Sequence, residues 1–203
     1  IDGQRFGSAT TGDATFSRIP LSQIDRIEIL RGPASSLYGA DAIGGVIQIF
    51  TKKGDGEPRL NASTGIGTYN TSDTSVGISG SNEIVSYSLQ AGHYSTDGVS
   101  AIHNKSSSSY NPDRDGYRND SLSGSLAVRP TSGHEIGINF LASDGTSRYA
   151  STPKARDFKS DQDVAAYSIY SRNKLHQNWT STVRLGRSTD DLTTLRSGTT
   201  LSE

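Results

Sequence analysis

From Pro58 onward, apolar and small polar residues alternate strictly in segments of about ten residues, and this pattern constrains the fold more than anything else in the chain. Leu122, Leu126 and Val128 fall on one parity, Ser121, Ser123, Ser125 and Arg129 on the other. Ile136, Ile138 and Phe140 alternate with Glu135, Gly137 and Asn139, and Val85, Tyr87, Leu89 and Ala91 with Ser86, Ser88, Gln90 and Gly92. Leu60, Ala62 and Ile66 do the same against Asn61, Ser63 and Gly65. A period of two is the period of an extended strand, whose successive side chains point to opposite faces.

The reading predicts strands at 58–67, 71–80, 84–95, 119–129, 134–144, 163–174 and 179–190. The links between them run short, short, long, short, long, short, the long ones being Thr96 to Arg118 and Gly145 to Gln162. Every second link is tight, so both long links fall at one end of the strands. That asymmetry is typical of membrane barrels, whereas a soluble sandwich has no reason for it. Strands of about ten residues also match a tilted crossing of the hydrocarbon layer. Tyr87, Tyr94, Tyr149, Tyr167, Tyr170 and Trp179 lie on or near strand ends, as interfacial or as ordinary strand aromatics.

Composition points the same way. Only 32% of the 203 residues are apolar, and mean hydropathy is -0.54, which makes one large hydrophobic core hard to fill. No run approaches the roughly 20 apolar residues of a spanning helix. A membrane crossing by this chain therefore uses closed strands, the other arrangement that satisfies backbone groups in lipid. A net charge of -1 gives no bulk attraction to nucleic acid, and the absence of Cys excludes disulfides and thiolate sites. His93, His103, His134 and His176 are scattered, with neither a Gly-x-Ser-x-Gly elbow nor a His-Glu-x-x-His helix, so catalysis is not expected.

Residues 1–56 follow another grammar. Ile24, Ile27, Ile29, Leu30 and Val46, Ile47, Ile49, Phe50 form short apolar runs between Gly and Pro turns, predicting a small α+β unit with strands covered on both faces. Gly32 and Pro33 stop the first run, Gly39 suits a helix C-terminus, and Gly44-Gly45 permit close backbone approach. Neither GxGxxG nor GxxxxGK spacing is present to cradle phosphates. Neither end carries a leader or a closing aromatic strand, so both ends read as cut.

The run IDRIEILRGPASSLYGADAIGGVIQIFTKK, Ile24 to Lys53, resembles the plug signature of TonB-dependent outer-membrane receptors. The resemblance implies an α+β plug fragment over 1–56, followed over 57–203 by antiparallel transmembrane β-barrel strands, part of a 22-stranded barrel. Its motif residues are Arg31, Gly32, Pro33, Tyr38, Gly39, Gly44 and Gly45. Family resemblance places Arg31 against barrel-wall acids; the alternative is a surface Arg at a strand end.

Within the family, the plug run and the loop residues Asn111-Pro112-Asp113-Arg114-Asp115-Gly116 are similar to the cobalamin (vitamin B12) transporters. That likeness implies active uptake of cobalamin across a Gram-negative outer membrane, without catalysis, by a monomer in lipid. It implies ligand contact at Phe6, Gly7, Ser8, Ala9, Thr10 and Thr11, and a calcium site from Asp97, Asp113, Asp115, Asp157 and Asp163. Calcium takes six to eight oxygens, and an Asp-x-Asp-Gly turn offers two carboxylates; such turns also occur simply solvated. TonB is the implied energy-coupling partner, although the family's TonB-contacting box is not within these residues. The alternative is a ferric-siderophore receptor, which shares the plug signature and for which Arg148, Lys154 and Arg156 would suit an anionic chelate.

Overall fold

In the computed structural model, which describes residues 1–7, 15–100, 104–107, 110, 112–151, 156–196 and 199–202, the alternating region forms one continuous antiparallel sheet. The first unit has two short 3-10 turns, Phe16–Arg18 and Leu21–Gln23, then strands β1 (Ile24–Arg31) and β2 (Gly45–Thr51) around helix α1 (Ser35–Tyr38). The wall follows with β3 (Arg59–Gly67), β4 (Thr71–Ser81), β5 (Val85–Thr96) and β6 (Tyr117–Thr131). It continues with β7 (His134–Ser151), β8 (Arg156–His176), β9 (Trp179–Arg196) and β10 (Thr199–Ser202). Each wall strand pairs with its sequence neighbour, giving an up-and-down meander of eight strands.

Burial along these strands is inverted relative to a soluble protein. Ser75, Ser79, Ser86, Ser88, Ser121, Ser123, Asn139, Ser143 and Ser168 are buried, while Val76, Ile78, Leu89, Leu122, Leu126, Ile136, Ile138 and Ile169 are exposed. A soluble sheet turns its apolar parity inward. Here the polar parity faces the 1–56 unit and the apolar parity faces away, the arrangement of an outer-membrane wall. The physical cause is the solvent: lipid accepts Leu and Ile side chains, whereas an interior holding a polar insert does not need them.

The strands begin and end where the sequence predicts at the short-turn end. Asn82 closes the β4–β5 turn by accepting the Ile84 and Val85 N–H groups at 2.9 and 2.7 Å, and Gly133 (φ 81°) turns β6 into β7. At the opposite end β7 and β8 run much further than expected. The expected loop Gly145 to Gln162 is mostly strand, with Gly145 opposite Gln162, Arg148 opposite Lys159 and Tyr149 opposite Phe158. The reason is that both faces are polar there, so the apolar-polar contrast that reveals a strand vanishes although the ladder continues. β8 has 21 residues, on the order of 70 Å, well beyond a hydrocarbon layer of about 30 Å.

β1 and β2 pair in the register Ile27↔Ile49 and Arg31↔Gly45, and Ile27, Ile29, Leu30 and Ile47 are exposed among the described residues. Gly39 follows α1 with positive φ, 92°, but with an extended ψ of 176° instead of the left-handed helical cap expected, and a Cβ on Gly45 (φ 144°) would collide with the Leu30 carbonyl.

The inversion gives a direct test. In the full-length receptor carrying this segment, Ile138→Arg is expected to destabilise the folded barrel by about 2–4 kcal/mol, as a charge on the lipid face does near the midplane. Ser123→Ala, on the opposite parity, is expected to change stability by less than about 1 kcal/mol. Urea unfolding in lipid vesicles, followed by tryptophan fluorescence, compares the two.

Candidate functional site

The contact between the 1–56 unit and the wall is built on a few side chains. Ile19 and Ile49 pack on Leu141, with Ile1, Phe6 and Ile24 around them. Leu141, on the inward parity of β7 between Asn139 and Ser143, is 1% exposed. Around this small core the contacts are polar. Gln23 is fully buried and donates from Nε2 to Ser121 Oγ at 3.0 Å and to the Gln90 carbonyl at 3.5 Å.

Arg18 is the buried charge of the interface, at 2% exposed. The sharp turn before Pro20 aims it at the wall, where Nη2 donates to Ser147 Oγ at 3.2 Å and Nε to Gln162 Oε1 at 3.5 Å. Its guanidinium lies 5.1 Å from the Tyr117 ring centroid, and the Tyr117 hydroxyl donates to the Ser17 carbonyl at 2.5 Å. Gly145 makes the room, since a Cβ there would overlap the Arg18 guanidinium. Behind it, Gln162 Nε2 donates to Asp190 Oδ1 at 2.7 Å and to Thr15 Oγ1 at 3.1 Å, and Thr15 donates to Asp190 Oδ2 at 3.0 Å. Asp190 thus answers the Arg18 charge through Gln162. Nη1 of Arg18 has no partner among the described residues, so the cation is held incompletely.

A second anchor lies toward the short-turn end. Asp2 Oδ2 accepts from Thr51 Oγ1 at 2.6 Å and Oδ1 accepts from the Thr51 N–H at 3.2 Å, while Arg184 on β9 donates to the Asp2 carbonyl. Arg184 also lies 5.6 Å from the Tyr170 ring, whose hydroxyl donates to Glu135 Oε1 at 2.9 Å. Tyr170 and Tyr94 therefore point inward and are not interfacial, whereas Tyr167 and Trp179 are exposed on the apolar parity.

Above Arg18 the same inward parity carries aromatics. Tyr94 and Tyr117 rings lie 5.8 Å apart, tilted by 57°, and Tyr149 stacks on Phe158 at 5.5 Å. The lumen-side wall thus changes from Ser and Asn to aromatic beyond the level of the buried arginine.

The sequence-derived residues are distributed as follows. Phe6 packs beside the core and Gly7 adopts φ 147°; Ser8, Ala9, Thr10 and Thr11 lie outside the described residues. Arg31 is exposed at the end of β1 and has no ion-pair partner among the described residues, so the buried arginine is Arg18. Tyr38 accepts from Gln48 Nε2 at 2.9 Å, and Gly32 N–H donates to the Gly44 carbonyl at 3.2 Å, which closes the Gly32-Pro33 turn on the glycine pair.

Asp97, Asp113 and Asp115 line one cleft, where Arg114 Nη1 pairs with Asp97 Oδ2 at 3.2 Å. Asp157 enters β8 opposite Ala150, and its side chain lies outside the described residues. Asp163 stands apart: it is exposed on the outward parity of β8, between Asp144 and Asp191. Among the described residues no three His, Asp or Glu side chains form a group able to hold a metal ion.

Sequence reasoning missed Arg18, Gln23 and Leu141. Leu141 was detectable as an apolar residue on the wrong parity; nothing local marks Arg18 and Gln23, since their burial depends on a wall more than 60 residues away in sequence.

Comparison with known proteins agrees with this geometry. Residues 1–46 match the family model of the TonB-dependent receptor plug domain. The plug match and the inverted meander together make this chain similar to the plug and wall of TonB-dependent outer-membrane receptors. Among its relatives, the vitamin B12 transporter BtuB of Photobacterium profundum is 33% identical over 186 residues, covering 89% of this chain and 30% of that protein. The BtuB of Vibrio cholerae is 28% identical over 192 residues. The chain thus spans about a third of the length of the curated relatives it matches. Solved structures with the same fold include the siderophore receptor PiuA of Acinetobacter baumannii, with TM-score 0.63, 13% identity, and coverage of 85% of this chain and 27% of that one. PirA of Pseudomonas aeruginosa gives 0.61 and 23%, covering 96% of this chain and 32% of that one.

Arg18→Ala is expected to remove hydrogen bonds from a charged group, worth about 1.5–3 kcal/mol, and to loosen the plug from the wall. Amide exchange at residues 15–23 of the full-length receptor should rise several-fold. Arg18→Lys should not restore protection, because an ammonium lacks the planar fork that reaches Ser147 and Gln162 together.

Proposed function

We propose that this segment serves a transporter that takes up cobalamin across the outer membrane, with TonB drawing on the plug. The observation that carries the reading is the 33% identity to a vitamin B12 transporter, which runs through plug and wall alike. The siderophore receptors share the fold at 13–23% identity, which supports the architecture and leaves the ligand to the closer sequence likeness.

The interface chemistry suits such a cycle. A plug held by a small apolar contact and a ring of hydrogen bonds, with Arg18 incompletely satisfied, can shift without breaking a large hydrophobic core. Ligand entering from the outer end meets Tyr94, Tyr117, Tyr149 and Phe158, whose faces suit the planar, conjugated parts of a corrinoid, together with the loop of residues 6–11. Calcium belongs to this proposal through Asp97, Asp113 and Asp115, and its binding requires Arg114 to release Asp97.

Calorimetry with cyanocobalamin on the full-length receptor, with calcium and then with chelator, tests both parts. Binding that weakens at least about tenfold on chelation, and likewise in Asp113→Ala, supports ligand and metal together. Binding indifferent to chelator retains the ligand and removes the metal. No heat from a folded receptor removes cobalamin, and ferric chelates become the ligands to examine.

A further inference from the structure

The lumen face of β6 begins with a residue that belongs to two places at once. Tyr117 shares the parity of the buried Asn119, Ser121 and Ser123, so its ring projects inward. On one side it borders a cleft of about 900 Å³, which Asp97, Asp113 and Asp115 also line and whose lumen side includes Thr96, Tyr149 and Phe158. On the other side it holds the plug. Its hydroxyl donates to the Ser17 carbonyl at 2.5 Å, and its ring lies 5.1 Å from the Arg18 guanidinium. The other lumen-side residues of the cleft bond within wall and loop: Tyr149 stacks on Phe158 at 5.5 Å, and Thr96 Oγ1 accepts from Thr71 Oγ1 at 2.9 Å and from the Gly98 N–H at 3.2 Å.

The plug contact is made at the end of a short turn. Phe16–Arg18 closes with the Arg18 N–H on the Thr15 carbonyl and the Ile19 N–H on the Phe16 carbonyl, both at 3.1 Å. Carbonyls at the end of a helical turn need donors from elsewhere. For Ser17 that donor is Tyr117, 100 residues further along the chain. The same turn presents Arg18, whose Nη1 lacks a partner among the described residues. The Tyr117 ring face therefore joins Ser147 and Gln162 in fixing a cation that is otherwise incompletely held.

A phenol pinned in this way cannot serve a ligand without moving. The hydroxyl sits at the far end of a rigid ring and travels furthest when the side chain turns, so a small turn is enough to break its bond. A planar ligand that takes the ring face competes for it with Arg18 and with Tyr94, whose ring lies 5.8 Å away.

We propose that Tyr117 couples the cleft to the plug: a ligand stacked on its ring draws the hydroxyl off the Ser17 carbonyl and the ring face off Arg18, and so frees residues 15–23 from the wall. This coupling rests on the reading of the cleft as the ligand site. It is also reciprocal, because a ligand that loosens the latch binds more tightly once the latch is gone. Phenylalanine keeps the stacking face and lacks only the hydroxyl, which separates the two roles of the side chain.

The test uses the full-length receptor in detergent, amide exchange at Arg18, Ile19 and Gln23, whose N–H groups are bonded within the two turns, and calorimetry with cyanocobalamin. Cyanocobalamin is expected to raise exchange at these amides in the unaltered receptor about fivefold, the size of one lost hydrogen bond. Tyr117→Phe should show that rise without ligand, respond little to added ligand, and bind cyanocobalamin about fivefold more tightly. Bound cyanocobalamin that leaves exchange unchanged in the unaltered receptor overturns the coupling, keeps the cobalamin reading, and needs no variant to show it. Ligand-free exchange in Tyr117→Phe equal to that of the unaltered receptor also overturns it. So does a variant with raised exchange but unaltered affinity and an unaltered response to ligand, since the hydroxyl is then only a structural contact. Should cyanocobalamin give no heat, the cobalamin reading falls, and the same comparison with a ferric tris-catecholate decides the coupling. A folded receptor that binds neither overturns it, because nothing then occupies the cleft.

Discussion

The structure depends on one constraint: within lipid, each backbone N–H and C=O needs a partner, and each side chain of one parity must face hydrocarbon. An antiparallel meander meets the first demand strand by strand, and strict alternation meets the second. Once the apolar residues are committed outward, the inner face is left to Ser, Asn, Gln and Gly. That choice determines how the plug can be held. With little apolar surface available, attachment falls to Leu141 and to hydrogen-bonded side chains such as Gln23 and Arg18.

A polar interface of this kind is specific without being strong. Each contact exchanges for water at small net cost, about 1 kcal/mol for an ordinary hydrogen bond, whereas a missing partner for a buried charge is more serious. The incompletely satisfied Arg18, held over Tyr117 and connected through Gln162 to Asp190, combines both features. It marks the level at which the lumen changes from small polar residues to the aromatic ledge. A plug displaced from this level would uncover that ledge to the polar channel, which links the proposed ligand contact to the proposed motion.

The strand pattern was legible wherever the two faces meet different solvents. From Leu60 through Val128 and from Ile136 through Ala142 the contrast between lipid and lumen is written into alternate residues. Beyond Asp144 and before Asp163 both faces are wet, and Thr146, Ser147, Arg148 and Ser160 give no contrast, so the β7–β8 extension read as loop. The plug motif was legible for another reason: Gly39 and Gly45 occupy backbone conformations that other residues resist. Arg31 had two readings, and among the described residues it is exposed at the end of β1.

By itself the sequence determined the membrane class, the order of plug and wall, and which parity faces lipid, because these follow from local residue type and spacing. Only the tertiary structure decided which arginine is buried, that Gln23 reaches Ser121, that Gly145 makes room for Arg18, and that Asp163 lies away from the Asp97, Asp113 and Asp115 cleft. It also placed Arg148 opposite Lys159 in the β7–β8 ladder. Those facts depend on register between strands and on contacts spanning up to 182 residues of chain. Such contacts are fixed by the packing of the whole sheet against the plug, and no local pattern encodes them.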